Sequence, residues 1–374
     1  MTVVASADTS LYQKFLPADT AVQFLDPAGQ PVASSARYAR PEAQRLLTMY
    51  RNMLLGRRFD EQAVALTKQG RLAVYPSSRG QEACQIAAAM CLHAQDWLFP
   101  TYRDSMALTA RGIDPVEVLG MLAGDWHCCF DAKRHHTAPQ CTPLATQLLH
   151  AAGLAHALTR KATSAAVLAL CGDGATSEGD FHEALNFAAV FRAPVIFLVQ
   201  NNGFAISVPL ARQSVAPSLA HKGVGYGIGS EQVDGNDPVA MLAVLDAARD
   251  YVLAGNGPVI VEAHTYRISG HTNADDPRRY RTEEEVTEWT ARDPIRRLET
   301  FLRAQGLVDD AYAAALTAEA EGLATTIRDG MNRARPTEID DLFRYVYAEP
   351  TTQLREQQTQ ARIEFTAELE EDEK

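Results

Sequence analysis

Residues 165–207 read AAVLALCGDGATSEGDFHEALNFAAVFRAPVIFLVQNNGFAIS, and this stretch decides the fold. Ala165 to Cys171 is a short apolar run closed by Gly172-Asp173-Gly174, the pattern of a strand buried on both faces. Helix signals come next. Ser177 is a candidate cap, Asp180 and Glu183 put acid in the first turns, and Leu185, Phe187, Ala188, Ala189 and Phe191 make an apolar side until Pro194. Val195 to Val199 is a second buried strand, and it delivers Gln200-Asn201-Asn202-Gly203. A right-handed crossover lays two such strands side by side and parallel, so Asp173 at the end of one and Asn202 at the end of the next are predicted to meet in one crevice. The expected fold class is α/β, a central parallel sheet flanked by helices.

One charged and one neutral oxygen donor suit a magnesium ion that keeps further positions for phosphate oxygens. Gly172, Gly174 and the helix start let backbone N–H groups approach a phosphate. Either triplet alone is an ordinary turn. Joined by strand, helix and strand, they read as a magnesium–diphosphate clamp.

Outward from that unit, the chain has 374 residues, 46% of them hydrophobic, enough to bury one large core or two modest ones. A formal charge of −12 and a pI near 5.3 argue against nucleic acid or an anionic membrane as partner, since both need basic surface. No apolar run approaches the roughly 18 residues of a membrane helix, and the start lacks a signal-like basic and apolar region. Six cysteines without paired spacing fit a reducing cytoplasm.

Residues 1–40, with Pro17, Pro27, Gly29 and Pro31, read as an extended arm lying on another surface. A helix from Pro41 to Gly70 and another from Ala83 to Leu92 present core positions. Tyr102 and Arg103 follow the apolar Trp97-Leu98-Phe99, so a phenol and a guanidinium arrive together where an anion would be welcome. Adjacent His135 and His136 point different ways in any regular element and read as loop, with no metal assigned. Val233 to Asp237 is a capping turn into a helix from Pro238 to Leu253, and Pro258 to Ala263 is a third buried strand. The polar loop Ser269 to Arg281 then shows no apolar anchor, and 301–374 reads as a helical extension with an acidic tail.

These residues resemble the α subunits of the thiamin-dependent 2-oxo acid dehydrogenases (E1), specifically the branched-chain type. The resemblance spans about residues 40–365. It is carried by Pro143-Leu144-Ala145-Thr146-Gln147, Gly172 to Asp180, Asn201 to Ser207, Val233 to Asp237, Thr265-Tyr266-Arg267 through His271 to Arg281, and the distal Gln353 to Gln358. It implies a thiamin diphosphate-binding fold over 41–300, with thiamin diphosphate and Mg2+ as cofactors. Asp173, Asn202 and the Phe204 carbonyl would hold the metal; Tyr102, Arg103, Arg267 and His271 would face the diphosphate, with His271 catalytic. Thr142, Leu144, Gly172, Gly174, Ala175 and Ile206 would complete the cofactor contacts. Three departures stand out: Phe204 replaces a tyrosine, Gln200 a basic residue, and Cys141 the serine that opens a potassium site, which leaves K+ a possible further ion.

The resemblance also implies decarboxylation of a branched 2-oxo acid and transfer of the acyl group to the lipoyl arm of a dihydrolipoyl acyltransferase. Thiamin chemistry needs a carboxylate on the aminopyrimidine ring, hence a second α/β domain. Only one set of strands is legible here, so an E1 β subunit is the expected partner, in an α2β2 heterotetramer. The alternatives are a pyruvate or acetoin dehydrogenase α subunit and, in another class, a noncatalytic diphosphate-binding module.

Overall fold

In the computed structural model, which describes residues 16–33, 37–124, 128–333 and 339–372, the stretch 165–207 forms two neighbouring parallel strands and the helix between them. Seven strands occur among the described residues: β1 (Trp97–Phe99), β2 (Val167–Gly172), β3 (Val195–Asn201), β4 (Phe204–Ala205), β5 (Val208–Pro209), β6 (Gly229–Asp234) and β7 (Val259–His264). Five make one sheet in the order β1-β2-β3-β7-β6, each pair parallel, and β4 with β5 makes a small antiparallel hairpin. The α/β class is as expected, with one parallel sheet among the described residues.

Side chains alternate across β2 and β3. Val167, Ala169, Cys171, Val195, Phe197 and Val199 face one way into a core shared with Leu148, Ala151, Ala155, Phe181, Leu185 and Ala188. Those partners sit on the helices Thr146–Arg160 and Gly179–Val190. Leu168, Leu170, Ile196 and Leu198 are equally buried on the opposite face, where Pro238–Leu253 packs. Because the strands are covered on both sides, they read as continuous apolar runs.

Several local expectations are corrected. Ser177 is not the cap: Asp173–Ser177 is a 3-10 turn, and Gly179–Val190 begins after Glu178, whose side chain makes no capping bond. Trp97–Phe99 is the edge strand β1. Gly229–Asp234, whose last two residues read in sequence as part of the Val233 to Asp237 capping turn, is the opposite edge strand β6. Its Ser230, Glu231 and Gln232 are polar and buried, which hides it from an apolar-run reading. The described part of the N-terminal arm lies on this same chain. Val22 bridges to Val233 in parallel, and the Asp237 carboxylate accepts from the N–H groups of Phe24 and Leu25 at 2.6 and 2.7 Å while also capping Pro238–Leu253. Leu98 and Thr101 likewise bridge to Thr137 and Cys141, so both sheet edges are partly covered.

Buried charge ties the layers together. Asp96 accepts from the Ala166 N–H at 2.8 Å and from Arg249 Nε at 2.6 Å, linking the start of β2 to Pro238–Leu253. The chain divides into two compact units, Met1–Arg328 and Asp329–Lys374, and position 300 falls inside the helix Pro294–Ala304 of the first. In the second unit Thr352–Asp372 is helical and Arg362 pairs with Asp340 at 2.6 Å. The start of the arm (1–15), residues 34–36, and the acidic tail's Glu373 and Lys374 lie outside the described residues.

Candidate active site

Parallel strands end on the same side, and here β2 ends at Gly172, β3 at Asn201 and β7 at His264 in register, Gly172 beside Gln200 and Asn201 beside His264. The turns leaving these strands therefore converge on one open cleft at the carboxyl ends of the sheet. Tyr102, Arg103, Leu144, Gly172, Asp173, Gly174, Ala175, Asn202, Phe204, Ile206, Arg267 and His271 all border it. Thr142 does not: its side chain is exposed, although its neighbours Cys141 and Pro143 reach the cleft.

Asp173 begins the 3-10 turn and is almost wholly buried. Its Oδ2 accepts from Gln213 Nε2 at 2.7 Å, while Oδ1 has no hydrogen-bond partner. Burial pushes this carboxyl above the usual carboxylate range, with the Gln213 bond and the nearby N–H groups of Asp173 and Asn202 opposing. A buried carboxylate oxygen with no donor of its own, bordering a cleft, is the chemistry of a cation ligand. Asn202 lines the same cleft and accepts from the Phe204 N–H at 3.3 Å.

The hairpin β4–β5 lies against this turn. A Cβ on Gly174 would stand 2.7 Å from the Ala205 Cβ, so the close approach needs glycine. At the hairpin tip Ile206 adopts φ 56°, strained for a β-branched residue, and its carbonyl accepts from Arg267 Nη2 at 2.7 Å. The strain sits at the rim of the cleft, where Ile206 is half exposed.

Positive charge faces the negative turn. Arg103 and Arg267 are both nearly buried, and Arg267 Nε has no partner. Burial first, then the neighbouring Arg103 cation, lowers the Arg267 guanidinium from its ordinary range. Between them stands His271, with Tyr102 edge-on at 6.0 Å between ring centres. Two guanidiniums with spare donor capacity beside an open carboxylate oxygen form a site with places for both a cation and a polyanion.

The loop Ser269 to Arg281 is anchored, contrary to its sequence reading. Tyr280 packs its ring 5.5 Å from that of Phe204, its hydroxyl accepts from Arg267 at 2.8 Å, and it donates to Asp275. Asp275 in turn accepts from the His271 N–H at 2.6 Å. Arg281, buried, donates to the carbonyls of Arg267, Ile268 and Ser269. His135 and His136 go separate ways, His136 onto the Ala94 carbonyl and Trp97, His135 against Phe130. No cluster of three or more His, Cys, Asp or Glu side chains suited to a metal occurs among the described residues.

Sequence reasoning missed Gln81, Glu178, Gln147 and Gln213. Glu178 and Gln147 stand inside the quoted motifs without a role. Gln81 and Gln213 carry no signal, since each arrives from a distant turn.

A family model described as "Dehydrogenase E1 component" matches residues 50–339. The chain is 45% identical over 344 residues to the 3-methyl-2-oxobutanoate dehydrogenase subunit alpha of Mycobacterium tuberculosis, covering 92% of this chain and 94% of that one. It is 39% identical over 316 residues to the pyruvate dehydrogenase E1 component subunit alpha of Acholeplasma laidlawii (83% and 91% covered), and 35% identical over 339 residues to that of Staphylococcus aureus (90% and 91%).

Proposed function

Because the chain belongs to the dehydrogenase E1 component family, we propose that it is the α subunit of a branched-chain 2-oxo acid dehydrogenase, acting on 3-methyl-2-oxobutanoate and its relatives with thiamin diphosphate and Mg2+. The observation that carries the site assignment is the buried Asp173 with its unpartnered Oδ1, facing a cleft that two buried guanidiniums also border.

Asp173 and the side-chain oxygen of Asn202, with the Phe204 carbonyl, would hold the metal. Arg103, Arg267, Tyr102 and His271 would receive the diphosphate, the glycines would admit it close to backbone, and Leu144 and Ile206 would offer apolar contacts to the rest of the cofactor. The bound thiamin supplies the carbanion-stabilising chemistry of decarboxylation. This chain would contribute orientation of the phosphates, an apolar rim from Leu144, Phe204 and Ile206, and a neutral imidazole at His271. The pyrimidine carboxylate comes from a β subunit in an α2β2 assembly, and the acyl group passes to a lipoyl-bearing acyltransferase. Gln147 Oε1, buried and without a partner next to the Cys141–Pro143 turn, supports a K+ ion there. A cytoplasmic location fits cysteines that form no disulfide among the described residues. No helix among the described residues is long and apolar enough to cross a membrane.

The pyruvate reading rests on the Acholeplasma and Staphylococcus relatives. Co-purified with its β subunit and supplied with thiamin diphosphate, Mg2+ and an artificial electron acceptor, the protein turns over 3-methyl-2-oxobutanoate with a higher kcat/KM than pyruvate. A preference for pyruvate overturns the branched-chain assignment, and no turnover of either favours a noncatalytic module.

A further inference from the structure

From the cleft wall, where Asn202, Gln81 and Gln200 stand, inward to Asp104 runs a line of four buried side chains in head-to-tail hydrogen bonds. Asn202 Nδ2 donates to Gln81 Oε1 at 3.2 Å, Gln81 Nε2 to Gln200 Oε1 at 3.0 Å, and Gln200 Nε2 to Asp104 Oδ1 at 2.7 Å. The other Asp104 oxygen accepts from both the N–H and the hydroxyl of Thr101, each at 2.7 Å. All four residues are at most 5% exposed, so water does not compete along the line.

We propose that Asp104, acting through Gln200 and Gln81, fixes which end of the Asn202 side-chain amide faces the cleft. An amide has a donor end and an acceptor end of nearly equal shape, and only its partners choose between them. Asp104 meets three donors and only accepts. That forces Gln200 to present its NH2 to Asp104 and its oxygen to Gln81. Gln81 repeats the choice, and Asn202 must give its NH2 to Gln81, leaving the oxygen, which also accepts from the Phe204 N–H at 3.3 Å, a lone pair for a cation. The residue at position 200 is thus a positioning residue, and it does not reach for phosphate as the family's usual basic residue there would. The inference rests on the reading of the cleft as a cation and diphosphate site.

Reversing the polarity at its source makes a specific test. In Asp104→Asn, the Thr101 N–H keeps the new amide oxygen, so the new NH2 faces Gln200. Gln200, Gln81 and Asn202 must then each turn over, and Asn202 presents NH2 to the cation. Adding Gln200→Glu restores an acceptor at both ends of that link. The carboxylate introduced at position 200 takes the NH2 at position 104 on one oxygen and the Gln81 NH2 on the other, and Asn202 returns to its original orientation.

The readout is Mn2+ affinity of the α–β complex in the presence of thiamin diphosphate, followed by electron paramagnetic resonance, with Tm recorded alongside. Asp104→Asn weakens Mn2+ binding about 10- to 100-fold, the usual cost of a lost supporting contact around a metal. The double variant recovers it to within a few-fold of wild type. Should Asp104→Asn not fold, Gln200→Leu cuts the line while leaving Asp104 on Thr101, and it weakens Mn2+ binding in the same range. Wild-type affinity in Asp104→Asn or in Gln200→Leu overturns the proposal, as does a folded double variant no tighter than the single. Failure of the wild-type complex itself to bind Mn2+ with thiamin diphosphate overturns instead the functional reading of the cleft.

Discussion

Arg103 holds His271 by two atoms: its Nη2 donates to the His271 carbonyl at 3.0 Å and lies 3.1 Å from the ring Nδ1. Arg267 Nη1 stands 3.4 Å from the same ring nitrogen. Because guanidiniums only donate, Nδ1 must be the acceptor, and the ring proton sits on Nε2. Burial first, then Arg103 and Arg267, lower this imidazole to about 4.

His271 is therefore neutral at physiological pH before any diphosphate binds. Its folded value lies below the unfolded one of about 6.5, so the unfolded chain binds more protons in between. The stability that this group contributes is full above that value and is lost as pH falls from about 6.5 toward 4. Inorganic pyrophosphate, by offsetting the two guanidiniums, raises the value. Nitrogen-15 imidazole NMR checks both: a ligand-free His271 that titrates near 6.5, or one that pyrophosphate leaves unmoved, contradicts the arrangement.

Asp173→Ala removes the only charged donor proposed for the cation and abolishes Mg2+-dependent binding of thiamin diphosphate. Asn202→Ala removes a neutral oxygen and weakens binding by about tenfold, near 1.4 kcal/mol. Calorimetry on the α–β complex decides the order. Equal losses, or binding by Asp173→Ala within a few-fold of wild type, remove Asp173 from its assigned role.

Tyr280→Phe keeps the ring on Phe204 but deletes the hydroxyl that joins Arg267 to Asp275. Losing these bonds loosens the loop locally by about 1–3 kcal/mol. Trypsin then cuts faster after the exposed Arg278 and Arg279, and thiamin diphosphate with Mg2+ slows the cutting in this variant much more than in wild type. Digestion of the variant at the wild-type rate would show that the ring contact and Arg281 suffice.

Asp96→Ala leaves buried Arg249 with only the exposed Asp250 carboxylate at 4.0 Å, and the Ala166 and His93 N–H groups without their acceptor. The cost is about 3–5 kcal/mol of global stability. Urea denaturation of the folded chain measures it, and a loss under about 1 kcal/mol would mean that water reaches Arg249.

The central unit is written locally. The run Ala165 to Cys171, the turn Gly172-Asp173-Gly174, the helix between and the run Val195 to Val199 each follow from nearest-neighbour chemistry. Once two buried strands are parallel neighbours, their carboxyl ends must adjoin. That is why Asp173 and Asn202 are legible as a pair. The Asp237 cap is equally plain, because a cap and its helix are contiguous.

The tertiary structure decides what depends on partners far apart in the chain. β6 is hidden because Ser230, Glu231 and Gln232 are polar, and their burial is met by partners: Glu231 by Ala18, Arg37 and Tyr38, Gln232 by Ala18 and His264, and Ser230 by the Ile228 carbonyl. The loop Ser269 to Arg281 reads as unanchored because its anchors, the Phe204 ring and the main-chain carbonyls beside Arg281, are not visible as apolar residues within it. Gln81 and Gln200 read as ordinary polar residues, and only the fold sets them between Asn202 and Asp104. Sequence determines which groups a strand end delivers; long-range packing alone determines which end of an amide, and which nitrogen of an imidazole, each group then shows.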